Sequence, residues 1–106
     1  MIYHVIIPSD WEHWATQPHY EAPSLHTEGF IHCSTATQIA GVLERYYAPF
    51  PEVLLLHINE AALVSPLVYE PSTGGELFPH VYGPIHHVAI TKVSPIKVNG
   101  VIQDTF

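Results

Sequence analysis

Two short segments of the chain place imidazole, hydroxyl and phenol groups at alternating positions. Residues 28–35 (EGFIHCST) and 77–84 (LFPHVYGP) are apolar runs bounded by turn-forming residues, a pattern typical of strands. Successive strand side chains point to opposite faces. Three side chains of each run should therefore share a face, namely Phe30, His32 and Ser34 in the first run and Phe78, His80 and Tyr82 in the second. Because such groups transfer protons or bind ligands, the two segments are predicted to form a site.

Acid–base chemistry is the first interpretation of this site, with His32, Glu70 and His80 as the catalytic residues. A neutral imidazole can both accept and donate a proton near physiological pH. A nearby carboxylate can orient the ring or stabilise positive charge that develops during a reaction. The alternative is a polar network that only fastens the loops, in which Glu70 is simply paired with a neighbour.

A metal site is a second interpretation, because the chain has nine histidines. His32 and His80 together with Glu70 have the composition of a site with two histidines and one carboxylate. The histidines are scattered, however, and the sequence lacks the close helical His pair of many zinc sites. Surface or hydrogen-bonded histidines are therefore favoured, and no metal ligand is assigned.

Nucleophilic catalysis would need Cys33 or Ser34 beside a base. Strand parity directs Cys33 away from His32, so the thiol is expected in the core. Ser34 shares the face of His32 but is equally placed to cap the following helix. Nucleophilic catalysis is therefore disfavoured.

The composition predicts one domain over residues 1–106, with 47% of the residues apolar. Three Lys or Arg residues against ten Asp or Glu residues give a net charge of −7. This balance argues against a nucleic-acid groove and against binding to an anionic membrane, because both need many cationic side chains. A small-molecule ligand is the expected partner, and the oligomeric state is left open. One cysteine and no leader or long apolar run favour a cytoplasmic location.

Hydrophobic patterning predicts an α+β domain whose strands are concentrated in the C-terminal half. Strands are expected at residues 1–7, 30–34, 53–58, 67–70, 77–82 and 87–93, with an edge strand at 96–102. Two helices are expected, a short one at 11–16 and a longer one at 36–47. The remaining segments are predicted as an irregular stretch at 17–27, a helical turn at 59–62 and a flexible turn at 71–75.

The longer helix has the most regular pattern of the chain. Thr35 and Gln38 have the spacing of a capping box at its start. Four apolar residues then recur at helical spacing and predict its buried face: Ile39, Val42, Leu43 and Tyr46.

The two site segments carry a resemblance to a known family. The patterns GFIHxS at residues 29–34 and EPxxGGxLFPHxYG at residues 70–83 resemble a family of small bacterial proteins catalogued as a domain of unknown function, number nine-five-two. The resemblance extends over residues 2–95. This family is in turn distantly similar to ADP-ribosyltransferase-like folds, in particular the branch that contains RNA 2′-phosphotransferases. The resemblance implies a split antiparallel or mixed sheet.

The resemblance also implies a ligand. Proteins of that superfamily hold NAD or an ADP-ribosylated intermediate in a cleft between two small sheets. Their first motif falls here on residues 3–4, which places His4 in the cleft, and their second falls on His32 with Ser34 and Thr35. Their third motif position falls on Glu70 or on residues 80–82. The resemblance thus implies His4, Ser34 and Thr35 as ligand-binding residues. Tyr82 and Gly83, which follow His80 in the second site segment, are added to them.

The leading functional hypothesis is a small-molecule enzyme that acts on a nucleotide or ADP-ribose-like ligand by glycosyl or ADP-ribosyl transfer or by hydrolysis. In this hypothesis His32 grips the ribose and Tyr82 stacks on the base. Arg45 is the one arginine of the chain, so 2′-phosphotransfer on RNA is not expected, and the helix start at Thr35 is the candidate site for a pyrophosphate. The alternatives are a non-catalytic ligand-binding module with the same pocket and a metal-dependent enzyme.

Overall fold

The computed structural model describes residues 1–98, which form an α+β fold with antiparallel sheets and few helices. The strands are β1 (Ile2–Ile6), β2 (His19–Tyr20), β3 (Ile31–His32), β4 (Glu52–Ile58), β5 (Leu67–Pro71), β6 (Leu77–Val81), β7 (Ile85–His86) and β8 (Ile90–Lys97). The α-helices are α1 (Pro8–Trp14), α2 (Pro23–Thr27) and α3 (Ile39–Tyr46). Short 3-10 turns cover Ala36–Gln38, Glu60–Ala62, Thr73–Gly75 and His87–Ala89.

The strands of residues 1–98 form three sheets, with the orders β1-β4-β8, β3-β6-β5 and β2-β7. All the strand pairs within them are antiparallel. The split antiparallel sheet of the prediction is therefore present, and no helix of residues 1–98 is long and apolar enough to cross a membrane.

Strand β4 lies at the centre of its sheet and is buried on both faces, as its continuous apolar sequence predicts. Val53 and Leu55 pack into a cluster with helix α3, whereas Leu56 and Ile58 pack into a larger cluster with β1. Each such side chain contributes about 1.5–3 kcal/mol when it is fully removed from water. The strand therefore joins both halves of the core.

Helix α3 confirms the predicted amphipathic helix, although its first turn is a 3-10 turn. The capping box is formed as predicted, because the Gln38 side chain accepts a hydrogen bond from the Thr35 backbone N–H at 3.0 Å. Ile39 and Leu43 are fully buried. The prediction was wrong for Tyr46, which is 58% exposed at the end of α3, because the next residue, Tyr47, packs against the core cluster instead.

Two further contacts join the sheets around the predicted site. The backbones of Tyr3 and Ser34 exchange hydrogen bonds of 2.7 and 2.8 Å, which connects β1 to the end of β3. The buried Gln38 side chain also donates to the Leu77 carbonyl oxygen at 2.8 Å and to the Glu76 carboxylate at 2.9 Å. These bonds fix β3, α3 and β6 relative to β1.

The N-terminal helices differ from the prediction. Helix α1 begins at Pro8, not at residue 11, because proline is well suited to the first turn of a helix. Residues 17–27 were predicted to be irregular but contain β2 and a helix that was not predicted, α2. Helix α2 begins at Pro23 for the same reason. Pro8 and Pro23 are therefore helix starts.

The C-terminal strands also differ from the prediction. Residues 87–89 form a 3-10 turn, and β8 continues through Pro95 to Lys97. Pro95 is tolerated because β8 is an edge strand of its sheet. The predicted edge strand at 96–102 begins as the end of β8, and its part beyond residue 98 lies outside the described residues.

Candidate functional site

His4 is the buried residue that joins the two site sheets, and both its ring nitrogens have partners. Its Nδ1 lies 2.6 Å from the His32 backbone oxygen, and its Nε2 lies 2.8 Å from the Tyr20 hydroxyl. A carbonyl oxygen only accepts hydrogen bonds, so Nδ1 carries the proton and the tyrosine donates to Nε2. Burial lowers the pKa of His4 to about 4, so the ring is neutral at physiological pH.

Tyr20 is a site residue that the sequence did not reveal as such. It is 2% exposed, and burial raises the pKa of its phenol, which therefore remains a hydroxyl that can donate to His4. Its position in a loop directly before the first site strand is the one signal available in the sequence. The contact itself depends on the folding of β2 against β7.

His32 lies at the exposed end of the site. Its side chain is 45% exposed, and its Nε2 lies 3.1 Å from an oxygen of Glu28, which is 50% exposed. Strand β3 ends at His32 because the next residues turn into the capping box of α3. The imidazole is therefore accessible to a ligand.

Glu70, His80 and Tyr82 form a hydrogen-bonded network on the neighbouring strands β5 and β6. The Tyr82 hydroxyl donates to Glu70 Oε1 at 2.5 Å, and His80 Nδ1 donates to the same oxygen at 2.9 Å. The Tyr82 bond and then the His80 bond hold the pKa of Glu70 below its usual range. The same contact with the carboxylate raises the pKa of Tyr82.

The other ring nitrogen of His80 has an unusual environment. His80 is 3% exposed, and among residues 1–98 its Nε2 is the one buried side-chain nitrogen or oxygen without a hydrogen-bond partner. Buried polar atoms are normally satisfied, so an orphan of this kind calls for an explanation. Since Nδ1 donates to Glu70, Nε2 presents a lone pair when the ring carries a single proton.

Phe30 connects the two histidines of the site segments. Its ring stacks on His80 with centroids 4.0 Å apart and an interplanar angle of 15°. The same ring meets His32 edge-on at 4.7 Å and lies 5.4 Å from Tyr82. Four side chains of the faces predicted from strand parity therefore lie together: Phe30, His32, His80 and Tyr82.

A cavity of about 440 Å³ opens beside this face, between the strand pair β1–β3 and helix α3. Polar side chains on its wall belong to His4, Glu28, His32, Ser34, Arg45, Tyr46, Tyr47 and Ser72. We call this first cavity the cleft. A second cavity of about 300 Å³ adjoins it and shares His4, Val5, His32 and Tyr47 with it.

The structure divides the predicted site residues into two groups. His4, His32 and Ser34 line the cleft, whereas Glu70, His80 and Tyr82 form the adjacent network and do not line it. The two groups meet where the ring of His32 lies 5.1 Å from that of His80.

Thr35 and Gly83 have structural roles in the described chain. The Thr35 side chain takes part in the capping box of α3. Gly83 has a φ of +152°, and a β-carbon there would collide with the Ser65 hydroxyl. Their roles in ligand binding stay predictions.

Three residues of the cleft could hardly be recognised as site residues from sequence patterns. Tyr47 and Ser72 stand in no motif, and Arg45 was recognised only as a helical cation. No group of three or more His, Cys, Asp or Glu residues within residues 1–98 is arranged to hold a metal ion. Cys33 lies in the core as predicted, 2% exposed.

Solved structures of protein CC0527 from Caulobacter crescentus share this fold. The crystal structure of protein CC0527 from Caulobacter crescentus has a TM-score of 0.82 at 27% identity and covers 96% of this chain and 92% of that chain. The solution NMR structure of CC0527 has a TM-score of 0.77 at 26% identity, with 91% and 84% covered. No curated protein matches the sequence significantly.

The resemblance to the family is confirmed, because the family's sequence model matches residues 5–93. The match covers most of the chain and contains both site segments. The chain belongs to the family described as "Protein of unknown function (DUF952)".

Proposed function

We propose that the protein is a small-molecule enzyme that acts on a nucleotide or ADP-ribose-like ligand in the cleft, by glycosyl or ADP-ribosyl transfer or by hydrolysis. The observation that carries the proposal is the contact between His4 and the His32 backbone at the wall of the 440 Å³ cavity. A histidine from each of two motif strands, meeting between two small sheets, is the arrangement that the resemblance to ADP-ribosyltransferase-like proteins implies.

The size and lining of the cavity support a ligand of this class. Small-molecule sites have volumes of roughly 300–1,000 Å³ and combine apolar surface with a few polar groups. Tyr46, Tyr47 and Phe78 supply aromatic surface for a base. His32 and Ser34 supply groups that can both donate to and accept from ribose hydroxyls. Because Tyr82 does not line the cavity, Tyr46 and Tyr47 replace it in this proposal as the stacking residues.

His4 acts as a positioning residue in this proposal. Both its ring nitrogens are engaged within the protein, so neither is free for a ligand. Its bond to the His32 carbonyl fixes the backbone from which the exposed His32 imidazole projects. A rigid backbone at this point aims the imidazole at the ligand without a cost in ordering on binding.

Glu70 and His80 supply the acid–base pair. The carboxylate fixes the Nδ1 proton of His80 and leaves the Nε2 lone pair as the proton acceptor. The pair adjoins the cleft at His32, whose ring centroid lies 5.1 Å from that of His80.

Ligand binding without turnover is the second candidate function, and one observation favours it. Neither Glu70 nor His80 lines the cavity, and the His80 Nε2 atom is buried. A cleft that kept its binding wall but had its acid–base pair sealed off would bind a nucleotide and release it unchanged.

Calorimetric titration with ADP-ribose and NAD tests the proposal, with product analysis after long incubation. Wild-type protein should bind at least one of the two ligands, and His32→Ala should weaken that binding. His86→Ala is the matched control, because His86 is an exposed strand histidine away from the cleft. Cleavage of the ligand that His80→Gln abolishes supports the enzyme, and binding without cleavage supports the binding module. Equal affinities for wild type and His32→Ala would overturn both.

A further inference from the structure

Arg45, the one arginine of the chain, lies on the wall of the cleft. It stands in the last turn of α3, with its guanidinium carbon 5.7 Å from the ring centroid of Tyr46. The chain has only three Lys or Arg residues and a net charge of −7. Its side chain is exposed on the cavity wall. In so acidic a protein, a cation on this wall is a specific feature of the cavity.

The Arg45 guanidinium has no ion-pair partner among residues 1–98, where the ion pairs involve the N-terminus and histidines instead. Side chains that can donate hydrogen bonds share the wall with it, among them His32, Ser34, Tyr47 and Ser72. The Glu28 carboxylate also lines the cavity and is paired with His32 at 3.1 Å. An arginine at a helix C-terminus also interacts favourably with the helix dipole, but that interaction does not require a cavity.

Gly41 provides a second, independent observation. It lies inside α3, where glycine destabilises a helix relative to alanine. A β-carbon at position 41 would lie 2.9 Å from an Arg45 guanidinium nitrogen, closer than non-bonded carbon and nitrogen atoms pack. The guanidinium therefore rests against the helix at Gly41, and an added methyl would make this flexible, exposed side chain shift.

We propose that Arg45, held over Gly41, is the anion subsite of the cleft and binds the phosphate or pyrophosphate group of the ligand. The inference rests on the proposed function and deepens it, since it makes the ligand a phosphorylated nucleoside. A guanidinium offers two parallel donors to two phosphate oxygens. The start of α3 is a weaker candidate, because the Gln38 side chain already occupies the Thr35 N–H.

The test compares three probes by calorimetry: ADP-ribose, adenosine and inorganic pyrophosphate. Arg45→Gln should weaken ADP-ribose and pyrophosphate binding about 10- to 100-fold, as expected for loss of a hydrogen bond to a charged group, and leave adenosine binding unchanged. Lys92→Gln removes the same charge from the exposed face of β8 and should leave all three affinities unchanged. Adding salt should weaken the two anions only.

Gly41→Ala separates binding from folding. The added methyl should displace the flexible guanidinium and weaken ADP-ribose binding, while the better helix former keeps or raises the melting temperature. If Arg45 had only a structural role, Gly41→Ala would not weaken ADP-ribose binding while it keeps or raises the melting temperature.

The outcomes distinguish the two proposals. Unchanged ADP-ribose affinity in Arg45→Gln overturns the subsite, and wild-type binding of adenosine then leaves the proposed function standing. Pyrophosphate binding that Arg45→Gln abolishes, without any nucleoside binding, supports the subsite and overturns the proposed function. If none of the three probes binds, both the anion subsite and the proposed function are overturned.

Discussion

The Nδ1 atom of His4 lies 2.6 Å from the backbone oxygen of His32, a residue 28 positions further along the chain. This bond brings two site strands from different sheets to one wall of the cleft. The Tyr20 hydroxyl completes the surroundings of the His4 ring, which is buried and neutral. The residue thereby couples the stability of the fold to the geometry of the site.

Acid should destabilise the protein through His4. The ring binds a proton at about pH 6.5 when unfolded and at about pH 4 when folded, so the unfolded state gains protons first as the pH falls. The free energy of unfolding should therefore fall between pH 6.5 and pH 4, by up to roughly 3 kcal/mol from this residue. Denaturant titrations over this range should show a shallower loss for His4→Gln, and an unchanged slope in that variant would contradict the assignment. His86→Gln, which changes an exposed ring, should behave like wild type.

Removing one hydroxyl should raise the pKa of Glu70. Tyr82→Phe deletes the strongest of the interactions that favour the carboxylate, while the His80 bond remains. Carboxyl NMR titration measures the change directly. Tyr69→Phe, an exposed tyrosine on the same strand as Glu70, should leave the titration unchanged. A Glu70 pKa that stays the same in Tyr82→Phe would show that the bond is not formed in solution.

Loss of the capping box should destabilise the protein. Thr35→Ala removes the side chain that caps α3 and should lower the free energy of unfolding by about 1 kcal/mol. Denaturant unfolding measures the loss, with Thr27→Ala as the control on an exposed threonine of α2. Equal effects of the two substitutions would contradict the cap.

The lone thiol should be inert in the native protein. Cys33 is buried, and burial raises the pKa of its thiol, so little thiolate is present to react. Labelling with a thiol reagent should be slow in buffer and fast in denaturant. Rapid labelling of the native protein would place Cys33 at the surface and reopen nucleophilic catalysis.

Local rules predicted part of the site. The alternation of strand side chains placed Phe30 and His32 on one face, and their rings contact His80 there. The spacing of Thr35 and Gln38 predicted the capping box. Both depend only on residues a few positions apart.

The rest depends on contacts between distant parts of the chain. The bridge between Tyr3 and Ser34 decides that His4 meets β3, and nothing in either segment encodes that pairing. The position of Arg45 in the cleft depends on how α3 packs on β4. Sequence patterns report which residues are apolar or polar, whereas the position of the cleft depends on how the sheets meet.

The most direct test of the central claim is an NMR titration of isotope-labelled protein with ADP-ribose. The amide signals of Cys33, Ser34 and Tyr47 should shift together, and Lys92 on β8 should not. Shifts confined to β8, or no shift at millimolar ligand, would contradict a nucleotide site in this cleft.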